Sequence, residues 1–235
     1  LGAPMVLILA QPDLSTTIVI AVTMAAILFL SGINHKIVTA VIVIAIPVFC
    51  IFGYFVVQPD TGKKILSEYQ YNRIVGFFQD DNETAKKIRY QQENSLLAIG
   101  SGGLTGKGLY NNTATSVKNG KLLSESHTDF IFTIVGEELG FVGAAAVILL
   151  LFMIVLECFI TGSRAPTFSG KLFCFGFGVL IAIQSFVNIA VATFLLPNTG
   201  VTLPFVSYGL TSLLSMYIGV GIVLNIGLQR TKARV

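Results

Sequence analysis

The sequence predicts an all-α protein, a polytopic bundle of transmembrane helices with one large extracytoplasmic loop. Hydrophobic residues make up 54% of the 235 positions and charged residues only 11%, whereas soluble domains carry about a quarter charged residues. Uncharged runs recur along the chain, and several reach the ~20 residues that a membrane-spanning helix needs. The net charge of +3 is too small to indicate a nucleic-acid partner. The membrane is therefore the predicted environment.

The uncharged runs predict the helices one by one. We predict complete helices at about 14–33, 37–57, 130–157, 172–194 and 207–228, and a partial helix at 1–10. The last two divide one long uncharged stretch, which is interrupted by the prolines and glycines of "LLPNTGVTLPFVSYG". Because the first run is only half a span, we expect the chain to be the C-terminal part of a longer protein.

Lysine and arginine in the short connections predict the orientation. All of them fall on one side when the helices alternate: Lys36, Arg164, Lys171, Arg230, Lys232 and Arg234. That side is predicted to be cytoplasmic and includes the C-terminus. The long loop 58–129 is then extracytoplasmic. Within it, "ETAKKIRYQQENSLLAI" mixes apolar and charged residues and predicts an amphipathic or interfacial helix.

Acidic residues crowd the start of the helix predicted at 130–157. Ser126 and Asp129 fit a capping-box pattern, but Glu137 lies eight residues further, about 12 Å along a helix. Because an acid at membrane depth is costly, Glu137 and Glu138 have two interpretations. They floor a water-accessible cavity open to the exterior, or they form a buried ion pair that fixes helix packing. Small residues on this face, Gly136, Gly140 and Gly143, would allow close approach of a helix or a substrate.

Three further motifs contain polar residues near predicted helix ends. "AIGSGGLTGKGL" lacks the spacing of a nucleotide-binding loop; it is a flexible turn, or a nest of backbone N–H groups that holds a phosphate together with Lys107. In "QPDLST", Asp13 is either a helix N-cap or a functional acid. The neutral side chains of "LPNTGVTLPFVSYGLTS" either line the same cavity or satisfy their own backbone.

Four motifs, "QPDLST", "AIGSGGLTGKGL", "HTDFIFTIVGEELGFVG" and "LPNTGVTLPFVSYGLTS", stand in this order in the chain. Together they resemble the shape, elongation, division and sporulation family of RodA, FtsW and SpoVE. The resemblance covers essentially all 235 residues and corresponds to the C-terminal part of a ten-helix fold. It implies a peptidoglycan glycosyltransferase that polymerises lipid II at the outer face of the bacterial cytoplasmic membrane, beside a class B penicillin-binding protein. The family's essential loop acid corresponds to Asp129, and the acid of its "QPDLGT" motif to Asp13. This chain departs from the family pattern at Ser15, Ser124 and Leu210, none of which removes an ionisable residue.

The resulting hypothesis makes Asp129 the catalytic general base. Lys107, with a divalent cation (Mg or Mn) as candidate cofactor and without a nucleotide, would neutralise the departing pyrophosphate. The remaining supporting or substrate-binding residues are Gln11, Asp13, His127, Thr128, Glu137, Glu138, Ser207 and Tyr208; no metal ligands are assigned. Two alternatives stay open: a flippase for the lipid-linked precursor, and a non-catalytic scaffold that activates a penicillin-binding protein.

Overall fold

The computed structural model describes residues 14–32, 68–78, 83–109 and 127–232, with the single positions 40, 43, 47 and 116. All regular structure in these residues is helical. The helices are α1 (Leu14–Leu30), α2 (Glu68–Phe78), α3 (Glu83–Ser101), α4 (Ile131–Ser163), α5 (Phe168–Ala192) and α6 (Leu210–Lys232). The all-α prediction is therefore confirmed for the described part of the chain.

Within the described part of the chain, three helices are long and apolar enough to cross a membrane: α4, α5 and the part of α6 from Leu210 to Gln229. They correspond to the spans predicted at 130–157, 172–194 and 207–228, and α4 runs six residues further than predicted. The span predicted at 14–33 contains α1, which has 17 residues. The partial helix 1–10 lies outside the described residues. So does most of the span 37–57, of which the three described positions (40, 43 and 47) are helical.

The chain forms two compact units, 1–89 and 90–235. In the first unit, α2 and the start of α3 approach closely, because Gly76 lies against the backbone of Ala85, where a Cβ would come within 2.8 Å of the carbonyl oxygen. The second unit contains the candidate site and the three long helices. Its main core joins α4, α5 and α6 around Cys174 and Ile181, both fully buried.

The two ends of the second unit differ in charge. At one end, Gly170 lies against Ile226, and Gly227 lies against Thr161, so the α4–α5 turn and the end of α6 are neighbours. The cationic positions Arg164, Lys171, Arg230 and Lys232 belong to these segments. The other end holds the start of α4, the end of α5 and the loop before α6. Asp129 therefore lies at the end opposite to these cations.

The exposed apolar surface of α4 begins only after its glutamates. Large exposed hydrophobic side chains run from Leu139 and Phe141 to Ile160, about 20 residues, which matches the ~30 Å of a bilayer core. The whole helix has 33 residues, or roughly 50 Å at 1.5 Å per residue. Glu137 and Glu138 thus lie beyond the apolar belt. The expectation that these acids lie at membrane depth stays a prediction, since the apolar belt begins at Leu139, directly after them.

The predicted amphipathic helix in the long loop is present as α3, but its buried side is polar. Gln92 and Ser95 are fully buried, whereas Leu96 and Leu97 are exposed. The Gln92 amide donates to the carbonyl oxygens of Val191 (3.1 Å) and Leu196 (2.8 Å), and the Ser95 hydroxyl donates to that of Ala192 (2.7 Å). The last carbonyls of a helix have no partner within it, so α3 caps the end of α5.

The end of α5 also closes on itself through a Schellman motif. Leu195 N–H donates to Ala190 O (2.7 Å) and Phe194 N–H to Val191 O (3.1 Å), the pair of bonds that defines this motif. The residue in the left-handed conformation is Phe194 (φ 60°), where glycine is usual. Together with α3, this turn fixes where the loop 195–209 leaves the bundle.

Candidate active site

Asp129 lies immediately before α4 and is half-buried. The N-cap of α4 is Phe130, and no side chain caps the helix start. The capping-box prediction for Ser126 and Asp129 is therefore wrong, since the cap residue is Phe130 and the helix begins at Ile131, two residues after the acid. Phe130 is fully buried and packs with Ala98 and Val191. This aromatic anchor sets where the chain enters α4.

The backbone before α4 is held through three consecutive carbonyl groups. Tyr208 N–H donates to His127 O (3.0 Å). The Ser207 hydroxyl donates to Thr128 O (2.7 Å). The side-chain amide of Asn188 donates to Asp129 O (2.8 Å). Every carbonyl of the segment 127–129 thus accepts a hydrogen bond from α5 or from the loop before α6, so the backbone that carries the acid is fixed at three points.

Ser207 and Asn188, which bond to the segment 127–129, are fixed in turn by further hydrogen bonds. Ser207 is fully buried, and its hydroxyl accepts from Leu203 N–H (2.7 Å). Asn188 is 1% exposed, and its amide also donates to Val201 O (2.7 Å). Between these anchors the chain passes through Phe205, which has a left-handed backbone (φ 63°). A non-glycine residue in this region stores strain of order 1–3 kcal/mol, which the surrounding contacts must offset.

A second structural feature is a break in α4. Gly140 has φ 66° and ψ −163° inside the helix, a combination that is essentially restricted to glycine. In an unbroken helix, Phe141 N–H and Val142 N–H would donate to the carbonyls of Glu137 and Glu138. At the break, all four of these groups need other partners.

The glycine-rich loop supplies those four partners. Lys107 N–H and Gly108 N–H donate to the carbonyls of Glu137 (2.9 Å) and Glu138 (3.0 Å). In turn, Phe141 N–H and Val142 N–H donate to the carbonyls of Gly103 (2.9 Å) and Leu104 (3.1 Å). We call this arrangement the splice: loop 103–108 replaces two missing helical hydrogen bonds with four of its own. The splice keeps α4 continuous across its break.

The splice agrees with neither predicted interpretation of the loop 103–108, the phosphate-binding nest or the flexible turn. Gly106 N–H donates to Gly102 O (2.8 Å), so the N–H groups of Gly106, Lys107 and Gly108 all donate to protein carbonyls. They do not form an open nest for a phosphate. The loop is not a free turn either, because Gly106 and Gly140 meet backbone to backbone, where a side chain on either would collide. The small residues on this face do permit close approach, and the approaching segment is the loop.

Lys107 and Glu137 form an ion pair within the splice. Lys107 Nζ lies 2.9 Å from Glu137 Oε1, and the Ser116 hydroxyl lies 3.5 Å from the other carboxylate oxygen. The side chain of Glu137 is 1% exposed and that of Lys107 27%. Glu137 therefore does not floor an open cavity, and the buried ion pair is the interpretation that the structure supports. Glu138 is buried as well.

Of the other residues predicted for the site, some contact the segment that carries Asp129 and others do not. His127 is exposed and Thr128 half-buried, and both contribute backbone carbonyls. Tyr208 is 78% exposed, and its backbone N–H makes the contact with the acid-bearing segment. Gln11 and Asp13 lie outside the described residues. The structure thus brings Asp129, Ser207 and Tyr208 together through the backbone, and it joins Lys107 to Glu137 separately.

An apolar groove of about 580 Å³ lies elsewhere, on the exposed belt of α4. Its lining is Val147, Leu150, Leu151, Met153, Ile154, Glu157, Phe205 and Val206. It lies on the membrane-facing part of the helix and contains none of the predicted site residues. Among the residues that the structure describes, no group of three or more His, Cys, Asp or Glu side chains could hold a metal ion.

Sequence reasoning missed Asn188, Gln92 and Ser95. A signal for Asn188 was present, because Gln184 and Asn188 lie one turn apart in an uncharged span, and polar side chains in such spans normally face a partner. Gln184 also reaches the loop before α6 through the carbonyl of Thr202 (3.1 Å). Gln92 and Ser95 gave no such signal, since their neighbours Leu96 and Leu97 suggested the opposite face.

The fold and the site define a polytopic membrane protein in which a loop and the ends of two helices hold Asp129 at one end of a helical bundle. Residues 2–232 match the model of the FtsW/RodA/SpoVE family, described as cell cycle protein. The chain belongs to this family, which confirms the resemblance seen in its motifs.

Curated relatives carry related names. The chain is 35% identical over 230 residues to the "Probable peptidoglycan glycosyltransferase FtsW" of Buchnera aphidicola subsp. Baizongia pistaciae, covering 96% of this chain and 56% of the relative. It is 33% identical over 227 residues to the "Peptidoglycan glycosyltransferase MrdB" of Escherichia coli K12, covering 97% and 58%. The chain therefore spans little more than half the length of these relatives.

A solved structure has a similar fold. It is described as "Structural coordination of polymerization and crosslinking by a peptidoglycan synthase complex". The TM-score is 0.66 at 25% identity, and the match covers 95% of this chain and 58% of the solved chain. The helical arrangement described above is thus shared with a chain of that complex.

Proposed function

We propose that the protein containing this chain is a peptidoglycan glycosyltransferase that polymerises a lipid-linked disaccharide, lipid II, into glycan strands. The observation that carries the proposal is Asp129, an acid half-buried on a backbone fixed at three carbonyls, in a chain 33–35% identical to proteins named for this activity. Fixed placement of a reacting group is a large source of rate enhancement.

In the proposed reaction, a hydroxyl oxygen of the acceptor sugar attacks the anomeric carbon of the donor. A new carbon–oxygen bond forms there, and the bond from that carbon to the lipid pyrophosphate breaks. The hydroxyl proton passes to the carboxylate of Asp129, which acts as general base and must lie within hydrogen-bonding distance of that hydroxyl. The lipid pyrophosphate leaves with the bonding electron pair.

The structure changes the role that we assign to Lys107. Its ammonium group is already paired with a buried carboxylate, so we propose that Lys107 stabilises the splice instead of neutralising the leaving pyrophosphate. The described residues do not supply a cage for a divalent cation, and no step of the reaction is assigned to one. We propose that Asp13 acts on substrate from the start of α1.

We also propose an orientation and a partner. The cationic end of the bundle would face the cytoplasm, which puts Asp129 at the outer face of the bacterial cytoplasmic membrane. A class B penicillin-binding protein is the proposed partner, supported by the likeness to a chain of a peptidoglycan synthase complex.

Asp129→Asn tests the activity, because it keeps the shape of the side chain and removes the base. The protein, as encoded in full by its gene and purified with its partner, should lose at least 100-fold in the rate of polymer formation from labelled lipid II, within the range of general-base contributions. Its yield in membranes should stay unchanged. Glu157→Gln is the matched control, since Glu157 is exposed on the far part of α4.

The same assay separates the competing functions. Normal polymer yield from Asp129→Asn would reject the catalytic role of this residue. Exchange of labelled lipid between leaflets without polymer from the unmodified protein would favour a flippase. Normal growth of cells that carry Asp129→Asn would favour a scaffold that only activates its penicillin-binding partner.

A further inference from the structure

We propose that Asn188 is a positioning residue that sets the location of Asp129 for catalysis. This inference rests on the proposed function of Asp129 and adds to it a residue on another helix. Asn188 touches neither of the reacting groups in the proposed reaction; it acts through the backbone of the acid.

The geometry of the Asn188 amide carries the inference. Its two N–H groups donate to two carbonyls from different parts of the chain, Asp129 O at 2.8 Å and Val201 O at 2.7 Å. One side chain thus joins α5, the start of α4 and the loop before α6. The bond to Asp129 is made to the residue that carries the carboxylate, so a shift at Asn188 is passed directly to the acid.

Because Asn188 is buried, water cannot easily take over its two hydrogen bonds. Asn188 is 1% exposed, so water cannot replace the amide without rearrangement. Leaving a buried carbonyl without a donor is unfavourable, and the carbonyls of Asp129 and Val201 would each lose this donor if the amide were removed. The segment 127–129 would then relax toward other donors, and its remaining anchors at Ser207 and Tyr208 lie on the N-terminal side of the acid.

A polar side chain in this helix is not sufficient for the effect. Ser185 lies nearly one turn before Asn188 on the same helix and is also buried, yet its hydroxyl makes no hydrogen bond within the described residues. Ser185→Ala is therefore a matched control that removes a buried polar group from the same helix without releasing the backbone of Asp129.

The size of the effect follows from the sensitivity of rate to placement. A displacement of about 1 Å at a reacting group can reduce the rate ~100-fold. Because Asn188 does not touch substrate in this proposal, its loss should reduce kcat and leave KM nearly unchanged. A residue that binds substrate would raise KM, and one that only stabilises the fold would lower the yield of folded protein.

The experiment compares Asn188→Ala, Asn188→Leu, Ser185→Ala and Asp129→Asn in the full protein with its partner, using labelled lipid II. Asn188→Leu keeps the branched shape of the side chain and makes it apolar, which suits a membrane helix. We expect kcat to fall about 10- to 100-fold in both Asn188 variants, with KM within threefold of the parent and a normal yield of folded protein. Ser185→Ala should stay within twofold of the parent in both parameters.

The outcomes separate the two proposals. If Asp129→Asn is inactive but both Asn188 variants keep the parental kcat, the positioning role is wrong and the proposed function stands. A raised KM at unchanged kcat, or loss of folded protein in both variants, also overturns the positioning role. Normal polymerisation by Asp129→Asn overturns the proposed function and the positioning role with it.

Discussion

Replacing Gly140 by alanine tests the splice most directly. The glycine has φ 66° and ψ −163°, and a non-glycine residue in that region costs of order 1–3 kcal/mol. The added Cβ would also lie 2.7 Å from Leu104 O and collide with the backbone nitrogen of Gly106. Both neighbours are backbone atoms of the splice, so relief requires the loop to move away.

The expected loss of stability combines two terms. Moving the loop would strain or break the four hydrogen bonds of the splice, each worth about 0.5–1.5 kcal/mol. With half of them lost, the total with the backbone term is about 2–6 kcal/mol. A domain of this size loses about 2–4 °C in Tm per kcal/mol. We therefore expect Tm to fall by roughly 5–20 °C, measured by circular dichroism in detergent.

A matched control lies on the neighbouring helix. Gly100 is in α3, has no positive φ, and a Cβ added there would meet nothing within 4 Å. Gly100→Ala should be neutral or stabilising by up to about 1 kcal/mol. If Gly140→Ala melts within 2 °C of the parent, the splice does not stabilise α4 and the reasoning fails.

Two other predictions concern the ion pair and the orientation. Lys107→Met should destabilise the folded protein by about 2–4 kcal/mol, because it leaves the buried Glu137 charge without its cation. Lys107→Met combined with Glu137→Gln should recover most of this loss. Equal melting temperatures for the single and double variants would contradict the pairing. A cysteine introduced at His127, in a background without native cysteines, should react with an impermeant maleimide from outside intact cells, whereas a cysteine at Ser163, which is exposed at the cationic end of α4, should not. Labelling at Ser163 and not at His127 would reverse the orientation.

The sequence was informative where a single physical rule decides the outcome. Membrane spans depend on length and absence of charge, and α4, α5 and α6 appear close to their predicted places. The C-terminal bound of α4 was wrong because Glu157 ended the uncharged run, although the helix continues to Ser163. A long helix near the membrane surface tolerates such a residue when the side chain can reach the interface.

The acids of the candidate site could be selected from the sequence, but their contacts could not. Asp129 stood out as an acid at a helix start, whereas the partner of Glu137 could not be chosen, since both an open cavity and an ion pair fit the same spacing. Lys107 lies 30 residues away in sequence, and only the fold shows that a loop returns to the break in α4. Contacts of this kind depend on tertiary packing, which periodicity does not encode.

The position of the break explains why acids occur beside an apolar run at all. A helix that loses two backbone hydrogen bonds needs other partners here, because Glu137, Glu138 and Gly140 are buried and buried backbone groups must be paired. The loop 103–108 provides them, and the ion pair of Lys107 with Glu137 adds a charged contact that holds the same two segments together. Because Asp129 lies eight residues before Glu137 in sequence, the three carbonyl contacts hold the acid and the splice holds the first turns of the helix that follows it.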